Sequence, residues 1–177
     1  MDTTFQALLE EATFTKEILA SGVTQIGKAN YAQKGIYFQS FTSLATGLER
    51  IGKLCLMLDY FIKNNGQFPD LAYMKNQIRH DLQLLYEKSK NVVTDYRVTF
   101  QFLDNLDEPL QQKIIEILSK FAKGDRYSNI DFLVTQSRDS DPIFDWSKNV
   151  DEVLYAQEVS EKKKREIETN AEIIHQL

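Results

Sequence analysis

The stretch FTSLATGLERIGKLCLMLDYFI, residues 41 to 62, decides the fold. Phe41, Leu44, Leu48, Ile51, Cys55, Leu58 and Ile62 recur at alternating steps of three and four, which places them on one stripe of an α-helix. Ala45, Leu54, Met57 and Phe61 widen that stripe until much of the circumference is apolar. A helix apolar on so many sides is expected at the centre, with neighbours around it. One charged turn, Glu49, Arg50 and Lys53, interrupts it. Gly47 and Gly52 lie inside, and each costs about 1 kcal/mol against Ala in a helix interior. That cost is offset where another helix packs on the bare backbone, so both glycines are expected to mark close approaches.

Working outward, Asn64-Asn65-Gly66 stops the central helix, which runs from about residue 37 to 63. Upstream, Thr3 with Gln6 fits a capping box, and a rough stripe of Phe5, Leu8, Leu9, Ala12, Ile18 and Leu19 continues to about Ala20. Ser21-Gly22 ends this helix, and residues 22 to 35 read as a linker. Downstream, Leu71, Met74, Ile78, Leu82 and Leu85 share one face of residues 71 to 90. This segment reads as one helix or as two, with a break near Arg79-His80 that lets Asp81 start a new turn. Residues 91 to 101 carry β-formers such as Val92, Val93 and Val98, but one short segment makes no sheet.

Asp107-Glu108-Pro109 opens a further helix, with Asp as cap and Pro in the first turn. Its buried face is Leu110, Ile114, Ile117, Leu118 and Phe121, and Gly124 ends it. Residues 125 to 141 read as a loop in which Tyr127, Ile130, Phe132 and Leu133 pack locally. Asp141-Pro142 begins the last element, a helix over about 145 to 174 supported by Glu158–Lys162 and Glu161–Arg165 pairs. Together these features predict one all-α domain over residues 1–177. It is an up-and-down helical bundle with a long central helix and a long C-terminal helix.

Composition narrows the function. At 177 residues and 42% hydrophobic content, a single domain has material for a core, which argues against intrinsic disorder. A net charge of −5 disfavours a free-standing DNA-binding domain. No apolar run approaches the roughly 20 residues of a membrane span. Met1-Asp2-Thr3-Thr4 has neither part of a secretory signal, and the one cysteine, Cys55, sits on the apolar stripe. A cytoplasmic protein with no membrane association is the expectation.

The catalytic signatures are missing. There is no Gly-rich phosphate loop, Cys/His metal set, nucleophile elbow or His-Glu-x-x-His. A Glu-x-x-His spacing occurs once, at Glu172 and His175, without the second pair a di-iron bundle needs. No metal, cofactor or catalytic residue is therefore assigned. Three polar groupings remain. Glu49 and Lys53 stand at the ion-pair spacing of a helix. Arg79-His80-Asp81 holds one of two histidines. Lys162 to Arg165 is a basic run that reads as a solvated face.

The order of these pieces resembles the HEPN superfamily (higher eukaryotes and prokaryotes nucleotide-binding), whose members are small α-helical bundles. Glu49-Arg50-Ile51-Gly52-Lys53 looks like the family's Glu-(Lys/Arg)-x-x-Lys stretch. His80-Asp81-Leu82 followed by Leu85 looks like its His-(Asp/Ser)-Leu-x-x-Leu stretch, and Arg126-Tyr127 like the Arg-Tyr before the final helix. Many members are RNases with an Arg followed after four to six residues by His. No arginine here is followed by His at that distance, so that catalytic pair is not carried over. The resemblance then implies a non-catalytic module of a bacterial defence or toxin-antitoxin system. It would bind nucleotide, RNA or a protein partner, often as a homodimer. The implied binding residues are Glu49, Arg50, Lys53, Arg79, His80, Asp81, Arg126 and Tyr127. Two alternatives are an RNase built on Arg79 and His80, and a structural partner subunit.

Overall fold

Two long helices, α1 (Thr3–Ile26) and α2 (Lys34–Lys63), form an antiparallel hairpin on which the rest is assembled. The computed structural model describes residues 2–99, 107–137 and 140–175, the last five as backbone only. After α2 the chain doubles back through a short helix, α3 (Leu71–Tyr73), which widens into a π turn over Met74–Ile78. Helix α4 (Leu82–Asp95) then runs along α2 again, and α5 (Pro109–Lys123) returns beside α4. A 3-10 turn (Asp125–Tyr127) leads into α6 (Ser128–Thr135). The C-terminal segment is α7 (Pro142–Trp146), a π turn (Ser147–Asp151), α8 (Glu152–Glu158) and α9 (Glu161–His175). Among the described residues every regular element is helical, as an up-and-down bundle requires, and no helix is long and apolar enough to cross a membrane.

The glycines explain the hairpin. A Cβ on Gly22 would lie 2.8 Å from Leu44 Cγ, and one on Gly47 would lie 2.6 Å from Leu19 Cγ. The two backbones therefore meet knob-to-groove at these points. Gly52 receives Leu85 of α4 in the same way, at 3.1 Å. Ser40 seals the α1–α2 contact by donating its hydroxyl to the Gly22 carbonyl at 2.8 Å. For this reason α1 continues through Gly22 to Ile26 and does not end at Ala20; the expected linker starts inside a helix. The cap also differs. Asp2, not Thr3, accepts from the Thr4 amide, and Gln6 bonds Glu10 instead of reaching back.

The core gathers where α2, α4, α5 and α7 meet, around Phe41, Ile78, Leu82, Leu85, Ile117 and Leu118. The apolar stripe of α2 is only half used. Phe41 and Leu44 are buried, whereas Ile51, Leu58 and Ile62 are exposed, as is Leu71 on α3. The chain breaks at Arg79, and Asp81 caps α4 by accepting from the Gln83 and Leu84 amides. Asp107 does not cap α5. Glu108 holds that position without a side-chain bond, and Asp107 pairs with Lys90 of α4. Residues 128–135 form a helix instead of a loop, and its apolar side chains point outward. The C-terminal helix starts at Pro142 and is interrupted at Val159, which is extended. That break separates Glu158 from Lys162, and Glu161 pairs with Lys164 at 2.7 Å.

One buried group works against the hairpin. Thr15 is 1% exposed, and its hydroxyl has no hydrogen-bond partner among the described residues. An unpaired buried hydroxyl costs about 1–3 kcal/mol, while Thr and Val have similar helix propensity. Thr15→Val is expected to stabilise the protein by about 1 kcal/mol, raising Tm by about 2–4 °C. Calorimetry checks the sign.

Candidate functional site

The two helices of the hairpin meet closely at Gly22 and Gly47, and the site lies toward the N-terminus of α1. A cleft of ≈ 520 Å³ opens there, between α1, α2 and the returning segment. Leu8, Leu54, Met57, Phe68 and Met74 form its apolar lining. Its rim is the charged turn of α2 together with Glu11 of α1.

At this rim Lys53 Nζ donates to Glu49 Oε1 at 2.7 Å, the helix ion pair expected from spacing. His80 joins from the break between the π turn and α4. Its Nδ1 lies 2.8 Å from Glu49 Oε1 and 3.0 Å from Lys53 Nζ. One ring nitrogen cannot serve both neighbours at once. Protonated, Nδ1 donates to Glu49; unprotonated, it accepts from Lys53. The imidazole is 77% exposed, so its far edge reaches solvent. Arg50 pairs with Glu11 and lies over the Phe14 ring, 4.7 Å from its centroid.

Burial alone would raise the Glu49 carboxyl, but the hydrogen bonds and charges of Lys53 and His80 outweigh it and hold it below its ordinary value. A depressed carboxyl contributes stability above its unfolded pKa of about 4.3 and loses it as pH falls through the folded value. The wild type is therefore expected to lose stability relative to Glu49→Gln below about pH 4.3, with the two profiles parallel above it. The rim is solvated, so the difference is expected to stay under about 1 kcal/mol. Urea unfolding across the acid range measures it.

The other expected site residues are placed differently. Asp81, next to His80, points away from it. It caps α4 and pairs with Lys123 at 2.8 Å, and that pair holds its carboxyl below the usual range. Arg126 lies over its neighbour Tyr127, 5.1 Å from the ring centroid, and neither contacts the rim cluster. Arg79 is exposed and acts through its backbone. Its φ of 64° and ψ of −162° lie in a region that is essentially glycine's, at a cost of about 1–3 kcal/mol. This strained residue turns the chain from the π turn into His80. Arg79→Gly relieves the strain but adds about 0.5–1 kcal/mol of unfolded-state entropy. A net gain of about 1 kcal/mol is expected by denaturant titration.

Glu11 and Phe68 complete the cleft without a clear mark in the sequence, and Met74, from the apolar face of residues 71 to 90, joins them. Glu11 carries a faint signal: it shares the row Leu8, Thr15, Ile18 and Gly22 that α1 turns toward α2. Among the described residues no group of three or more His, Cys, Asp or Glu side chains could hold a metal ion. The fold and site thus define an all-α bundle with a charged rim over an apolar cleft. Compared with protein-family models, characterised proteins and solved structures, the chain matches none.

Proposed function

We propose that this chain is a non-catalytic, HEPN-like binding module of a bacterial defence or toxin-antitoxin system, and that a nucleotide occupies the α1–α2 cleft. The observation that carries this reading is the Glu49–Lys53–His80 cluster at the mouth of an apolar cleft. The cleft has the volume typical of small-ligand sites, apolar with a few convergent polar groups. Phe68, Met57 and Met74 offer the flat, polarisable contact a base would take. Lys53 and protonated His80 offer charge-assisted bonds to phosphate, in exchange for their present contact with Glu49.

Thermal unfolding with adenine and guanine mono- and triphosphates tests it. A bound nucleotide at one hundred times its Kd stabilises by about 2.7 kcal/mol. The gain is expected in wild type and lost in Lys53→Ala. No gain with any of the four overturns the reading.

A second reading, an RNase using Arg79 and His80, is favoured by one observation. With its proton on Nδ1, His80 donates to Glu49, the way a carboxylate orients a general base. Incubation with total RNA decides it: cleavage lost in His80→Ala supports it, and intact RNA with wild type rejects it.

A further inference from the structure

A second cavity, of ≈ 220 Å³, lies on the face of α2 opposite the charged rim, between α2, α4 and α5. Leu48 of α2, Leu82, Leu85 and Val93 of α4, and Ile115 of α5 make its apolar wall. Its polar content is small and specific. Ser89 of α4 contributes a hydroxyl whose oxygen is buried beside Cys55 and has no well-aligned hydrogen-bond partner among the described residues. Cys55 contributes a thiol, which is only a weak donor and a weak acceptor. Burial pushes that thiol above its ordinary value, so it carries no charge near neutral pH. Lys90 borders the cavity as well, but its ammonium is held by Glu87 at 3.1 Å and by Asp107.

We propose that this cavity is a second ligand site, separate from the α1–α2 cleft, and that it takes a small neutral aromatic molecule carrying one hydroxyl. Size sets the first limit. An apolar cavity of about 150 Å³ accepts benzene, so ≈ 220 Å³ holds one ring with a substituent. It is smaller than the roughly 300 Å³ at which sites for larger ligands begin. Polarity sets the second. A buried water needs about two to four polar partners and here finds one good and one weak, so water is a poor occupant. An anion is disfavoured too. Two carboxylates already neutralise Lys90, and a further charge would be desolvated without a partner. The Ser89 hydroxyl sets the third, because an unpaired buried hydroxyl is costly until a partner is supplied. A ligand hydroxyl supplies it, while the ring packs on the aliphatic wall. The polarisable sulfur of Cys55 favours a ring over an alkyl chain.

Titration of the full chain with phenol, benzene and benzoate, followed by NMR, tests the proposal. Phenol and benzene are expected to bind, and benzoate is not. Ser89→Ala is expected to weaken phenol about two- to tenfold and to leave benzene within about twofold. Val93→Phe fills the space and is expected to abolish binding of both. Cys55 is the chain's one thiol and reports the location. At about ten times its Kd, phenol is expected to slow the reaction of Cys55 with dithionitrobenzoate about tenfold, by mass action. The proposal is overturned if neither phenol nor benzene binds wild type, or if phenol binds and leaves the Cys55 rate unchanged, which places it elsewhere. It is also overturned if Ser89→Ala leaves phenol affinity unaltered, or if benzoate binds as tightly as phenol. Should Val93→Phe fail to fold, thiol protection in wild type and the Ser89→Ala comparison decide the matter.

Discussion

Phe41→Ala is expected to destabilise the protein by about 4 kcal/mol, while Ile62→Ala on the same helical stripe changes stability by under about 0.5 kcal/mol. Phe41 is 0% exposed and Ile62 is 62% exposed. The Phe41 ring stands where three helices converge. It lies 5.0 Å from Trp146 of α7, 5.5 Å from Phe121 of α5 and 5.9 Å from Tyr37, mostly edge to face. Truncation removes the transfer free energy of the ring and leaves a cavity, because partners on three separate helices cannot all close on it. Against a total of about 5–15 kcal/mol, the loss leaves a marginal protein. With an m-value of about 2 kcal/mol/M, the urea midpoint is expected to fall by about 2 M. Phe41→Leu fills most of the space and is expected to cost about a third as much. Equal midpoints for Phe41→Ala and Ile62→Ala would show that the core is not where these three helices meet.

The contrast between those two residues marks what the sequence could tell. Periodicity shows that Phe41 and Ile62 share a side of one helix; it does not show how far the neighbours extend. Helix α2 has 30 residues, and α4 and α5 have 14 and 15. Helices α5 and α7 cover the Phe41 end, while α4 runs along the other half of α2, from Leu85 on Gly52 to Asp95 beside Lys63, and still leaves Ile51, Leu58 and Ile62 exposed. Gly47 and Gly52 were more informative, because a glycine tolerated inside a helix has few causes, and both are close approaches. Sequence cannot choose a cap where two polar candidates adjoin, as at Asp2 and Thr3. Helix α6 is hidden because its apolar spacing lies in a segment rich in Ser, Asp and Asn that reads as loop. In the cleft, Glu49 and Lys53 follow from local spacing. His80 reaches them through the Arg79 break, which the sequence suggested but could not orient. Glu11 depends on the register of α1 against α2, which no local pattern encodes.

Asp151→Ala is expected to cost about 3–4 kcal/mol, and Asp151→Asn only about 1 kcal/mol. One oxygen of Asp151 accepts from the Tyr37 hydroxyl at 2.7 Å, and the other accepts from the Trp146 indole nitrogen at 2.9 Å. Both donors belong to buried side chains beside Phe41. Burial, and then the bond to Asp151, push the Tyr37 hydroxyl well above its ordinary range, so it stays a donor. Alanine strands both donors away from water, and each stranded group costs about 1–3 kcal/mol. Asparagine can satisfy both. Its carbonyl accepts from the indole, which can only donate, and its amide donates to the Tyr37 oxygen, which can also accept. The π turn over Ser147–Asp151 makes this geometry possible. In an α-helix, residues five apart face different directions. The i to i+5 repeat of the π turn brings Asp151 round to the side of Trp146. The widened turn therefore aims one carboxylate at two elements, α2 and α7, and locks the C-terminal segment onto the hairpin. Chemical unfolding of the two variants separates this from a generic surface charge. If alanine and asparagine cost the same, the carboxylate is not the shared acceptor, and the π turn has some other cause.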